Sequence, residues 1–131
     1  MELTNIFKGL ADSNRLRILN LLLHGELCGC DIRFVMGASQ PNVSRHLVYL
    51  KNCGLVRDRR VGFRVFYSLA DDHPGLLKPL FKFLQGAFSK EEMFKRDAVK
   101  LKKAIESGAC TMEEWRPYSA VGTPRSVSAR V

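Results

Sequence analysis

Residues 39–69 read SQPNVSRHLVYLKNCGLVRDRRVGFRVFYSL, and the period of the sequence changes halfway along. Val43, Leu47 and Leu50 recur at i, i+4 and i+7, the buried stripe of a helix. Ser39 stands where an N-cap belongs, and Pro41 fits the first turn, where its missing N–H costs nothing. Gly54 fits the position just past the helix end. Beyond Gly54 the period becomes two. Residues 55–61 and 63–69 read as strands on either side of Gly62, with Val65, Tyr67 and Leu69 on one face. Upstream, residues 31–36 form a short helix, capped by Cys30 or Asp31 and ended by Gly37. A short helix, a tight turn and a capped helix make a helix-turn-helix, and the hairpin behind it is a wing. The expected fold class is mainly α with a small β-hairpin wing, a winged helix-turn-helix.

The flanks supply further helices. Leu3, Ile6, Phe7 and Leu10 mark one face of a first helix. A second, capped by Asp12 or Ser13, runs from about residue 14 to 23. Leu16, Leu19, Leu22 and Leu23 point inward, and Arg15, Arg17 and Asn20 outward. Residues 26–28 suit a brief edge strand. Leu77, Phe81, Leu84 and Phe88 mark a fifth helix, and Phe94, Ala98, Leu101 and Ile105 a sixth. The expected division is one winged-helix domain over residues 1–107, followed by a flexible tail over 108–131.

The 131 residues carry a net charge of +8, which favours a polyanionic partner. Between Arg45 and Arg64 the cations are Arg45, Lys51, Arg57, Arg59, Arg60 and Arg64, against Asp58 alone. Positive charge is thus concentrated where a duplex would lie. On the capped helix Gln40, Asn42, Ser44 and Arg45 can all hydrogen-bond to base edges. Arg57, Arg59, Arg60 and Arg64 on the wing suit the phosphate backbone or the minor groove. The chain shows neither a signal peptide nor an apolar run long enough for a membrane span, so a cytoplasmic protein is expected. No phosphate loop or cofactor motif accompanies His24 and Cys28, which argues against a thiol enzyme.

Two stretches, ADSNRLRILNLLLHGELCGCDI (11–32) and the 39–69 segment, resemble the ArsR/SmtB family of metal-sensing repressors, over about residues 3 to 88. The resemblance implies a homodimer built from the first and C-terminal helices and bound to a double-stranded operator. It also implies release when a metal or metalloid binds. Gln40, Ser44, Arg45 and His46 match the family's readers. Two-fold symmetry independently requires an inverted repeat.

In ELCGCD, Cys28 and Cys30 stand two apart at the mouth of the short helix. They match the family's thiolate pair, which senses arsenite and antimonite in one branch and cadmium or lead in another. Trivalent arsenic or antimony is the expected inducer, since soft thiolates select soft ions, and cysteines near a helix N-terminus are activated as thiolates. Arsenite-sensing relatives often place a third cysteine where this chain has Arg33. Cys53 is the preferred third ligand, with Cys110 or a non-protein ligand as alternatives. The family's cadmium branch draws further cysteines from an N-terminal extension. Its zinc branch needs an Asp-x-His and a His-x-x-Glu, of which only Asp71 and His73 are mimicked. A repressor that senses oxidants or persulfides through Cys28, Cys53 or Cys110 is the competing reading.

Overall fold

The computed structural model describes residues 2–37 and 40–107, without the side chain of Gln40. The elements run α1 (Leu3–Leu10), α2 (Ser13–Leu22), β1 (Leu27–Cys28), α3 (Gly29–Met36), α4 (Gln40–Asn52), β2 (Val56–Val61), β3 (Arg64–Leu69), α5 (Pro74–Phe88) and α6 (Glu92–Ser107). The expected tail lies outside the described residues, as does Ser39. The strands form one antiparallel sheet in the order β1-β3-β2. The hairpin registers Val56 opposite Leu69 and Val61 opposite Arg64. The brief edge strand also forms, with Leu27 opposite Tyr67 and Cys28 opposite Phe66.

The core gathers around α2, whose Ile18, Leu19, Leu21 and Leu22 are buried with Ile32 and Val35 of α3 and Val43, Leu47 and Leu50 of α4. Asp12 caps α2, its carboxylate accepting from the Asn14 N–H at 2.8 Å and the Arg15 N–H at 3.1 Å. Tyr67 and Leu69 face this core, as their alternation requires. Phe66, on the opposite face, is buried as well, because it packs with Cys28 in a second, smaller cluster.

The helix patterns do not decide which side chains face solvent, and the expectation that Arg17 and Asn20 point outward is corrected. On α1 only Ile6 of the apolar stripe is buried, while Leu3 and Phe7 are exposed. The helix docks edge-on, because Gly9 presses onto the end of α4, where an added Cβ would stand 2.6 Å from Cys53 Sγ. On α2, Asn20 is buried and donates to the Phe94 carbonyl at 3.1 Å. Arg17 is not free either, and pairs with Asp97 at 2.7 Å. Both facts have one cause: α6 packs across α2 and α3 and covers the side of α2 that would otherwise be wet. On α6, accordingly, Asp97 and Ala104 are buried beside Phe94, Leu101 and Ile105, whereas Ala98 is only half-buried.

Candidate nucleic-acid interface and cysteine pair

Two glycines set the reader helix. Gly37 sits in the left-handed region at φ 63°, and its N–H donates to the Arg33 carbonyl at 3.1 Å. At the other end, Leu55 N–H reaches the Leu50 carbonyl and Gly54 N–H the Lys51 carbonyl, the paired bonds of a Schellman ending. With Val43, Leu47 and Leu50 buried, the opposite face of α4 is open. Asn42 and Arg45 are exposed there and joined by a guanidinium–amide hydrogen bond, which pre-aligns two groups suited to base edges. Ser44 is half-buried, and Gln40 opens the helix. His46 is placed differently from the sequence expectation. It is half-buried, with Nδ1 4.0 Å from the Asp12 carboxylate, on the side of α4 that faces α2. Burial alone would raise the Asp12 carboxyl. The Arg15 amide, the His46 and Arg15 charges and the Asn14 amide outweigh that and hold it below its usual value. Sequence reasoning missed Val48, which is exposed one turn beyond Arg45 and suits a thymine methyl group. The only signal was its place off the buried stripe.

The four wing arginines are not equivalent. Arg60 is exposed and makes no ion pair among the described residues. Arg64, at the start of β3, is half-buried. Arg57 pairs with Asp71 at the surface. Arg59 is committed inward. It grips the nearly buried Glu26 with two bonds, at 2.7 and 2.8 Å, and its guanidinium lies 4.7 Å over the Phe66 ring. Arg59 therefore fixes the root of the wing to the chain entering β1. Arg59→Ala should cost about 2–3 kcal/mol, because it leaves the Glu26 carboxylate buried without its partner. Arg60→Ala should leave the melting temperature unchanged and lower the salt dependence of duplex binding by about one ion. Thermal denaturation and salt titration separate the two roles, and equal melting temperatures would refute the anchoring role of Arg59.

The Sγ atoms of Cys28 and Cys30 are 3.0 Å apart. Cys28 is the last residue of β1 and the N-cap of α3, so Cys30 lies in the first turn of that helix, two positions further in than a cap at Cys30 would have put it. Cys28, Phe66 and Arg59 are cross-strand neighbours on one face of the sheet. Arg33 folds back over the intervening glycine, its Nη1 3.1 Å from where a Gly29 Cβ would stand. Cys53 is not brought to this pair. It is buried in the main core between α1 and α4, donating to the Leu50 carbonyl at 3.3 Å, and burial pushes its thiol above the usual value. The end of the reader helix and the start of α3 lie in different clusters, so proximity through the motif fails. Cys28 and Cys53 are free thiols, whereas Cys30 is disulfide-bonded. Among the described residues no group of three His, Cys, Asp or Glu could hold a metal ion. Cys110 lies outside them. No described helix is long and apolar enough to cross a membrane.

Residues 12–58 match the model of the bacterial regulatory protein arsR family. Over 97 residues the chain is 37% identical to the arsenic resistance transcriptional regulator ArsR1 of Pseudomonas putida, covering 73% of this chain and 74% of that one. The chain belongs to the arsR family. The chain is also 42% identical over 74 residues to the cadmium resistance transcriptional regulatory protein CadC homolog of Staphylococcus aureus, 56% of this chain and 61% of that one. Among solved structures, the homodimeric winged helix-turn-helix DNA-binding domain of Mb0332 from Mycobacterium bovis, a possible ArsR-family regulator, matches at a TM-score of 0.58. It is 33% identical over 66% of this chain and 78% of that one. The matched segment runs from the cap of α2 into β2, so it contains the reader helix and the cysteine pair.

Proposed function

We propose that the chain is a homodimeric transcriptional repressor. It binds an inverted-repeat operator through α4 and the wing, and is released when trivalent arsenic or antimony binds the thiolates of Cys28 and Cys30. The observation that carries the reading is the 3.0 Å approach of the two sulfurs at the junction of β1 and α3. Two thiolates on one soft ion, each at roughly 2.3 Å, must lie within about 4.6 Å of each other. The pair therefore fits such a guest once Cys30 is reduced, with the third position left to a ligand outside the described residues or to solvent. The arsenic resistance role of the Pseudomonas putida relative supports the choice of guest.

The junction also suggests how the site would speak to DNA. Holding the two sulfurs on one atom would spread them beyond their 3.0 Å approach and shift Cys28 against its cross-strand neighbour Phe66, which pairs in turn with Arg59 at the root of the wing, and would shift the start of α3 as well. A 10²- to 10³-fold fall in operator affinity requires roughly 3–4 kcal/mol of such coupling. Titrating arsenite into a reduced protein–operator complex should produce that fall, and a C28S/C30S variant should stay bound. Unchanged affinity at saturating arsenite would remove arsenic as the inducer, and a parallel cadmium titration tests the CadC-like alternative.

A second reading is favoured by the disulfide at Cys30. The same repressor would respond to thiol oxidation, with Cys30 as the sensing sulfur. In that case operator affinity would follow the dithiothreitol-to-disulfide ratio and ignore arsenite.

A further inference from the structure

Phe63 stands at the tip of the wing with a relative exposure of 104%, the most exposed of the chain's large apolar side chains that the structure describes. The hairpin loop is two residues long, Gly62 and Phe63, beyond the last cross-strand pair of Val61 and Arg64. Gly62 has φ 60° and takes the positive-φ position of that tight turn. A Cβ there would meet nothing within 4 Å, so the tip is narrow, one glycine and one ring. The root below it is stiff, because Arg59 is clamped to Glu26 and Phe66. Arg60, exposed, stands opposite Val65 near the end of the hairpin. An aromatic ring is thus held at the end of a rigid stalk that carries an exposed cation near its tip.

That combination selects its partner. A second copy of the chain or an apolar groove would have to bury the Arg60 guanidinium, at high cost. The minor groove offers a phosphate row to Arg60 and a floor of base edges to the ring, and apolar side chains wedge between base steps there. We propose that Phe63 enters the minor groove at the outer edge of each half-site and selects easily unstacked pyrimidine–purine steps. The proposal rests on the DNA-binding reading above and adds a specificity determinant to it.

The test uses duplexes selected from a random-sequence pool by the full chain, with 2-aminopurine at the steps the wings reach. The wild-type chain should raise 2-aminopurine fluorescence on binding and prefer T·A over G·C at those steps. Phe63→Ala should bind about tenfold more weakly, lose the fluorescence rise and lose the flank preference. Phe63→Leu should keep most of all three. The ring touches nothing, so circular dichroism should be unaltered by either substitution. If Phe63→Ala keeps the affinity, the preference and the fluorescence rise, the wedge is refuted while DNA binding stands. A wild-type chain that selects no duplex overturns both readings. A change in sedimentation caused by Phe63→Ala would place the ring in a protein contact and overturn the wedge alone.

Discussion

Phe83→Glu is expected to leave a folded monomer whose operator affinity is lower by a factor of roughly 10²–10⁴. The argument starts from α5, which is apolar on two sides. Leu77, Phe81, Leu84 and Phe88 face the core, while Leu76, Leu80, Phe83 and Ala87 line up along the other side at i, i+4, i+7 and i+11. A helix in a monomer needs only the first stripe. The second leaves Phe83 70% exposed, and α1 adds Leu3 and Phe7, the latter 59% exposed. An apolar surface on two helices marks a protein contact. The homodimeric Mycobacterium bovis domain supports a second copy as the partner. In a two-fold interface one substitution acts twice, once from each protomer. Because Phe83 is exposed within the protomer, the fold should survive. Each protomer would then hold a single half-site and lose the gain of simultaneous binding. Sedimentation equilibrium should show a monomer, and a persistent dimer would move the interface elsewhere.

Much of the fold was legible in the sequence, and the reasons for the rest are physical. The stripe Val43, Leu47, Leu50 and the glycines at 37 and 54 located the reader helix, because buried periodicity and positive φ are local demands. The same logic leaves α1 undecided. A period of 3.6 reports that a face is apolar, not whether its own chain or a partner covers it, and Leu3 and Phe7 remain open here. The wing arginines looked alike because charge carries no address. Only the fold reveals that Glu26, 33 positions earlier, claims Arg59 and leaves Arg60 exposed. The cysteine pair was visible as a spacing, since two residues along an extended segment entering a helix bring sulfurs together. Cys53 was misplaced because its neighbour is Gly9 of α1, a contact that no spacing near Cys28 encodes. Phe63 read as one more strand residue, and only the two-residue loop puts it at the tip.

Arg17→Met should destabilise the protein by about 3 kcal/mol and lower its melting temperature by roughly 10 °C or more. Arg17 and Asp97 are 80 positions apart and meet in a two-pronged pair, at 2.7 and 3.0 Å. The Asp97 side chain is only 4% exposed, so it has almost no water to fall back on. Methionine preserves the packing of the arginine stem but abandons a buried carboxylate, and that abandonment is the source of the cost. Removing both charges should therefore be far milder than removing one. An R17M/D97L double variant should regain most of the lost stability, since a well-packed apolar pair can replace a buried ion pair at little net cost. Denaturant titration of the two single variants and the double closes the cycle. A double variant as unstable as Arg17→Met would show that the pair contributes packing geometry, not charge compensation. The location gives the result a functional edge. The pair and the Asn20–Phe94 bond hold α6 across α2 and α3, and α3 begins at the cysteine pair. Loosening α6 should thus relax the start of α3 as well. Amide exchange over residues 29–36 should quicken in Arg17→Met and return toward the wild-type rate in the double variant.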